Sequence, residues 1–142
     1  MNVKVMLVDD ETEFVEMLAA RLEAREFAVA TAGSGSEALA KLRDQGADVV
    51  ILDVVMPGQD GVETLAEIKK INPLTEVIML TGHATVETAI EGMKRGAFDY
   101  LMKPTETEDL VAKIRKAQER KAEQEERIKQ AEIKEIIGRK GW

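Results

Sequence analysis

The chain has 142 residues, 44% apolar and 33% charged, with a net charge of −7; this length suits one domain with little room for a second, and this composition can bury a core, which excludes a disordered polymer. Zero cysteines and a single histidine exclude a disulfide framework, a thiolate metal site and a His-rich one, so a metal here must be held by oxygen. No run approaches the roughly 18 to 20 uncharged apolar residues that cross a bilayer, the N-terminus lacks a secretory pattern, and an acidic balance asks for no nucleic acid.

In chain order, Val3 to Val8 reads as a first strand, followed by a helical pattern over Glu13 to Arg25 with Phe14, Met17, Leu18 and Leu22 at helical spacing and Thr12 as N-cap. A second strand at Ala28 to Thr31 leads to a helix over Ser36 to Gln45, in which Ser36, Leu39 and Leu42 repeat the spacing. Asp48 to Leu52 is the third strand and Val62 to Ile71 the third helix. Glu76 to Leu80 is the fourth strand. Thr85 to Arg95 follows as a helix with Val86, Ile90 and Met93 on its apolar face, then Phe98 to Met102 as fifth strand and a last helix from about Glu106. Five strands alternating with five helices imply an α/β fold, a parallel sheet with helices on both faces. The runs Val3 to Val8 and Val49 to Leu52 are almost continuously apolar, as central strands covered on both faces should be. Met79 and Met102 read as core.

In such a sheet, function collects at the carboxyl ends of the strands. Asp9, Asp10 and Glu11 follow the first strand, Asp53 the third, Thr81 the fourth, and Lys103-Pro104 the fifth. Carboxylates gathered this closely must take up a proton or share a cation. With oxygen ligands the expected ion is a hard one, Mg²⁺, which keeps several waters and completes its shell with a phosphoryl oxygen. A carboxylate can also be the nucleophile that forms an aspartyl phosphate. Asp53 is best placed for this, at the end of a central strand beside the turn Met56 to Gly61. Asp9 and Asp10 would hold the metal. Lys103 would clamp the equatorial oxygens with it, and Thr81 would hydrogen-bond one of them.

Val8-Asp9-Asp10-Glu11, Asp53-Val54-Val55-Met56-Pro57-Gly58-Gln59-Asp60-Gly61, Leu80-Thr81-Gly82 and Lys103-Pro104 resemble the motifs of a bacterial response-regulator receiver domain, in the same order and at the same strand ends, over about residues 3 to 118. The resemblance implies a flavodoxin-like doubly wound sheet of strand order 2-1-3-4-5 with an extended C-terminal helix. It implies a sensor histidine kinase as phosphoryl donor to Asp53, and Mg²⁺ bound by Asp10 directly, by Asp9 in support and by the Val55 backbone carbonyl. It further implies a switch in which the Thr81 hydroxyl moves toward the phosphoryl group and the Tyr100 ring turns inward behind it. The readout face would be the fourth helix, fifth strand and fifth helix, and Lys103-Pro104 would be cis. Gln59 departs from the apolar residue usual before Asp60-Gly61, and Val55 and His83 occupy two variable positions expected to tune hydrolysis.

Plainer roles exist for each residue. Asp9 and Asp10 suit the positive end of the first helix dipole, Thr81 a loop amide, Lys103 the surface, and Tyr100 simple packing. The joint presence of all four motifs favours the chemistry. A phosphatase with an Asp nucleophile would place a second Asp where this chain has Val55. A flavodoxin-like nucleotide carrier would want Gly, Ser or Thr amides after the first strand, where Asp9-Asp10-Glu11 would repel phosphate. The reading is therefore a cytoplasmic switch, not an enzyme.

Residues 1 to 104 carry 10 basic and 18 acidic groups, and 105 to 142 carry 10 and 9. With the resemblance ending near residue 118, the chain divides into a receiver at 1–118 and a charged helical tail or linker at 119–142. Glu106 to Ile137 lacks Gly and Pro, which favours helix. Leu110, Ile114 and Ala117 can pack on the body, whereas Ile128, Ile133, Ile136 and Ile137 call for a second chain, most simply another copy. The fourth-helix to fifth-helix face is the other surface for such a homodimer. Ile136-Ile137-Gly138-Arg139 is similar to the linker into the ATPase module of enhancer-binding activators, so the alternative reading is the input module of a longer transcription activator.

Overall fold

The computed structural model describes residues 2–56, 59–82 and 85–139; Pro57, Gly58 and His83, singled out above, lie outside them. The elements run β1 (Lys4–Val8), α1 (Thr12–Glu23), β2 (Ala28–Ala32), α2 (Gly35–Gln45), β3 (Val49–Leu52), β4 (Val55–Met56), β5 (Gln59–Asp60), α3 (Gly61–Ile71), β6 (Glu76–Thr81), α4 (Val86–Lys94), β7 (Asp99–Met102) and α5 (Thr107–Arg139). The main sheet is β2-β1-β3-β6-β7, with every neighbouring pair parallel. Counted within that sheet alone, the order is the expected 2-1-3-4-5. The pair β4-β5 is a separate antiparallel ribbon, in the segment read above as a plain turn.

Period-two alternation divides the central strands between two cores. Val5, Leu7, Val49, Ile51, Ile78 and Leu80 face α1 and α5, where they meet Leu18, Leu22, Leu110 and Ile114. Met6, Val8, Val50, Leu52, Val77 and Met79 face the other way, onto Ala38 and Leu42 of α2 and Leu65 and Ile68 of α3. The continuous apolar runs in β1 and β3 follow from this double coverage.

Four local expectations are corrected. Thr12 is not the N-cap of α1; Glu11 holds that position and makes no side-chain capping bond. Met17 on α1 is exposed, since Val15, Leu18 and Leu22 form the buried face. Val86, Ile90 and Met93 of α4 are 76%, 50% and 43% exposed. The helix packs instead through Ala89 and Gly92, because a Cβ at position 92 would lie 2.3 Å from Met79 Sδ and only a small-residue face can approach that closely. Met102 is likewise exposed, whereas Met79 is core; on β7 Asp99 and Leu101 turn toward the better covered side.

Candidate functional site

The ladder of the sheet continues one residue past its strands and fixes the backbone of the site. Asp9 N–H donates to the Ala32 carbonyl at 3.0 Å, Asp53 N–H to Val8 at 2.9 Å and Lys103 N–H to Thr81 at 2.9 Å. Because Val8 and Leu52 are register partners, Asp9 and Asp53 leave adjacent strands side by side. Thr81 closes β6 opposite Met102, which sets Lys103 next to it. Three loops thus become one site through backbone bonds that the side chains do not have to supply.

Asp9 and Asp53 are 6% and 4% exposed and Thr81 is fully buried, whereas Asp10 is exposed. One carboxylate oxygen from each of Asp9, Asp10 and Asp53 lies within 4.8 Å of the others. Phe14, Ile51 and Leu80 share a small pocket with Asp9 and Asp53, so the two buried carboxylates stand on apolar ground.

Lys103 reaches into this cluster. Its Nζ donates to Asp9 Oδ2 at 2.6 Å and to Glu11 Oε1 at 3.3 Å, lies 3.6 Å from Asp53 Oδ2 and sits 4.3 Å from the centre of the Phe14 ring. Burial pulls the ammonium toward the neutral form, but the bond to Asp9, the charges of Asp9 and Asp53 and the bond to Glu11 prevail and raise its pKa above the ordinary lysine value. Asp9 Oδ1 meanwhile accepts from Glu11 N–H at 2.9 Å. Asp9 therefore satisfies an amide at the mouth of α1 and binds Lys103 at once, so the helix-end role and the site role coexist.

The donor set fits a hard divalent cation. Three clustered carboxylates and one ammonium leave two negative charges unbalanced, all the offered atoms are oxygens, and the exposed Asp10 opens the cluster to water. Val55, whose carbonyl the resemblance adds to this set, opens β4 two residues past Asp53. The Lys103-Pro104 bond is cis, as the resemblance implied.

Tyr100 is not gathered with these groups. It is the register partner of Met79, is 43% exposed, and borders an open groove with Val86, Ile90, Met93 and Lys94 of α4. Sequence reasoning missed two participants. Glu11 was read only as part of the acidic run and Phe14 only as core, yet both face Lys103. The signal was present: Phe14 lies one helical turn beyond Asp10 and Glu11, on the face of α1 that looks back at the strand ends.

The model of the response regulator receiver domain matches residues 5–115. The transcriptional regulatory protein ZraR of Escherichia coli is 42% identical over 116 residues, which are 82% of this chain and 26% of that protein; the chain thus spans about a quarter of this curated relative. A receiver-domain crystal structure from Clostridium thermocellum superposes with a TM-score of 0.80 at 41% identity, covering 84% of this chain and 97% of that one. A CheY-like receiver from Methanospirillum hungatei gives 0.84 at 28% identity, covering 87% and 99%. With the family model matching most of the chain and the fold superposing on solved receiver domains, the chain belongs to the response regulator receiver domain family.

Proposed function

We propose that Asp53 is the phosphoacceptor of a two-component switch, and the observation that carries this is its setting. Asp53 is a buried carboxylate at the end of a central strand, with Lys103 Nζ 3.6 Å from its Oδ2 and Asp9 and Asp10 beside it. A carboxylate oxygen of Asp53 attacks the phosphorus of a phosphohistidine on a sensor histidine kinase; the P–O bond forms as the P–N bond breaks, and the leaving imidazole keeps the electron pair. Lys103 neutralises charge on the transferred group, and the Thr81 hydroxyl donates to one of its oxygens. Asp9, Asp10, Asp53 and the Val55 carbonyl would hold Mg²⁺, which when bound balances the negative charge of the phosphoryl oxygens. Thr81 then draws Tyr100 from its outward position toward the sheet, altering the α4 to α5 face. In this role the chain is a switch rather than an enzyme, working in the cytoplasm; among the described residues no helix is long and apolar enough to cross a membrane.

The test is incubation with acetyl phosphate and Mg²⁺ followed by intact mass measurement. Wild type should gain one phosphoryl group and Asp53→Asn none. An Asp53→Asn chain that still gains one would overturn the assignment.

We further propose a receiver at 1–118 and a tail at 119–142 that serves self-association. Ile128, Ile133, Ile136 and Ile137 on α5 are 47%, 40%, 47% and 39% exposed. A second copy of the chain would cover them. Truncation after Gln124 should weaken association in light scattering across a concentration series; unchanged association would move the interface to the α4 to α5 face. Since the chain spans 26% of ZraR, a second reading places it as the input module of a longer transcription regulator.

A further inference from the structure

The acidic cluster lies at the carboxyl edge of the sheet; a second set of charges lies at the amino edge, and it involves the tail. The last α5 residue in the apolar core is Ala117. On the next turn, two cations turn back to the body. Arg120 bonds Glu76 through Nε to Oε2 and through Nη2 to Oε1, the latter at 3.1 Å, and its guanidinium lies 4.9 Å from the centre of the Phe98 ring. Glu76 is only 1% exposed and also takes Lys69 of α3, at 3.2 Å. Lys121, its side chain 13% exposed, pairs with Asp48 Oδ1 at 3.1 Å. The other oxygen of Asp48 accepts the Lys4 backbone N–H at 2.8 Å.

Glu76 and Asp48 are not surface groups that happen to meet a helix. A carboxylate as buried as Glu76 requires compensation, and Lys69 and Arg120 supply it from two different helices. Asp48 is held from three sides, by Lys4, Lys121 and the Glu76 N–H that donates to its carbonyl at 3.1 Å. Burial alone would lower the Lys121 pKa, yet Glu125 and Asp48 raise it above the ordinary lysine value. Both anchors also belong to strands that end in the site. Asp48 immediately precedes β3 and Asp53 follows it, while Glu76 opens β6 and Thr81 closes it.

From this juxtaposition we infer that Glu76 and Asp48 form a clasp for Arg120 and Lys121, which fixes the direction in which the outer part of α5 leaves the body. The clasp extends the body's hold on α5 past the last apolar contact. It orients Ile128, Ile133, Ile136 and Ile137 with respect to the strands that carry Asp53 and Thr81. It does not rest on the phosphoryl chemistry, because it uses none of the residues of that site.

Backbone amide hydrogen exchange on the full chain tests it, at protein concentrations low enough that dilution no longer changes the rates. In wild type, protection should continue from Ala117 through about Gln124 and fall off beyond. In Arg120→Ala/Lys121→Ala it should retreat to about Ala117, with exchange over residues 118–124 rising about tenfold or more while Val50 and Met79 stay protected. Alanine has the higher helix propensity, so such a retreat cannot come from a weaker helix. The control Lys129→Ala/Lys134→Ala should leave residues 118–124 unchanged. Wild-type protection that already ends at Ala117, or protection over 118–124 that survives the double substitution, would overturn the clasp. The milder Arg120→Gln and Lys121→Gln apply the same criterion if the double variant loses its core protection.

Discussion

Lys103 and Asp9 are separated by 94 positions in the chain, yet Lys103 Nζ lies 2.6 Å from Asp9 Oδ2. The contact closes the sheet from its edge strand toward its centre, and it places a cation among the carboxylates of the acidic corner. A single ammonium here restrains the repulsion among three carboxylates and stands over an aromatic ring.

Lys103→Met should therefore destabilise the protein in the absence of divalent cation by about 1 to 3 kcal/mol, since Asp9 is left buried with its charge uncompensated. Urea denaturation with and without Mg²⁺ measures this. The loss should shrink when Mg²⁺ is present, and an equal loss in both conditions would separate Lys103 from the metal site.

Asp10 offers the reverse case. As the exposed member of the cluster it adds repulsion without adding burial, so Asp10→Asn should melt higher than wild type without metal. Wild type should gain melting temperature on adding Mg²⁺ by mass action, and Asp10→Asn should gain less. Calorimetry with Mg²⁺ and with a chelator decides the point; equal gains would remove Asp10 as a ligand.

Gly61 begins α3 against the segment that follows Asp53. A Cβ there would lie 2.2 Å from Val54 Cα and 2.5 Å from the Val54 carbonyl oxygen, and backbone cannot step aside as a side chain can. Gly61→Ala should cost about 2 to 3 kcal/mol in urea denaturation, even though alanine favours helix. Gly92→Ala should cost less, because the atoms it meets are the far end of Met79.

Glu37 titrates where the fold can report it. Its carboxylate accepts Gly33 N–H at 2.9 Å and pairs with Lys41; the Gly33 bond first, then Lys41, lower its pKa below the ordinary value of 4.5. A folded value below the unfolded one means that its contribution is present above about pH 4.5 and is lost as pH falls through the lower folded value. Carboxyl chemical shifts followed from about pH 6 to about pH 2, a range around the reference carboxylate values, should show Glu37 titrating below the ordinary glutamate value.

Much of this was legible in the chain. The strands and the residues at their ends were readable because apolar runs such as Val49 to Leu52 and the polar residues that follow them are local features, whereas the strand order came only with the resemblance. What escaped depended on neighbours. The exposure of Val86, Ile90 and Met93 could not be read from helical spacing alone, since the pattern is satisfied equally by a face that packs and a face that waits. Gly92 decided the matter, and its role exists only against Met79. The Glu76 and Asp48 contacts were invisible for the same reason: nothing in the sequence near Arg120 announces a carboxylate 44 positions away.

The outward face of α4 also governs how the molecule behaves in concentrated solution. With a net charge of −7, neighbouring molecules repel over a Debye length of about 30 Å at about 0.01 M salt, which contracts to about 3 Å in molar salt. Inside that shortened range, Val86, Ile90 and Met93 become reachable by one another. Long-range acidity is thus what should keep short-range stickiness silent, and the second virial coefficient of the protein should fall as salt is added.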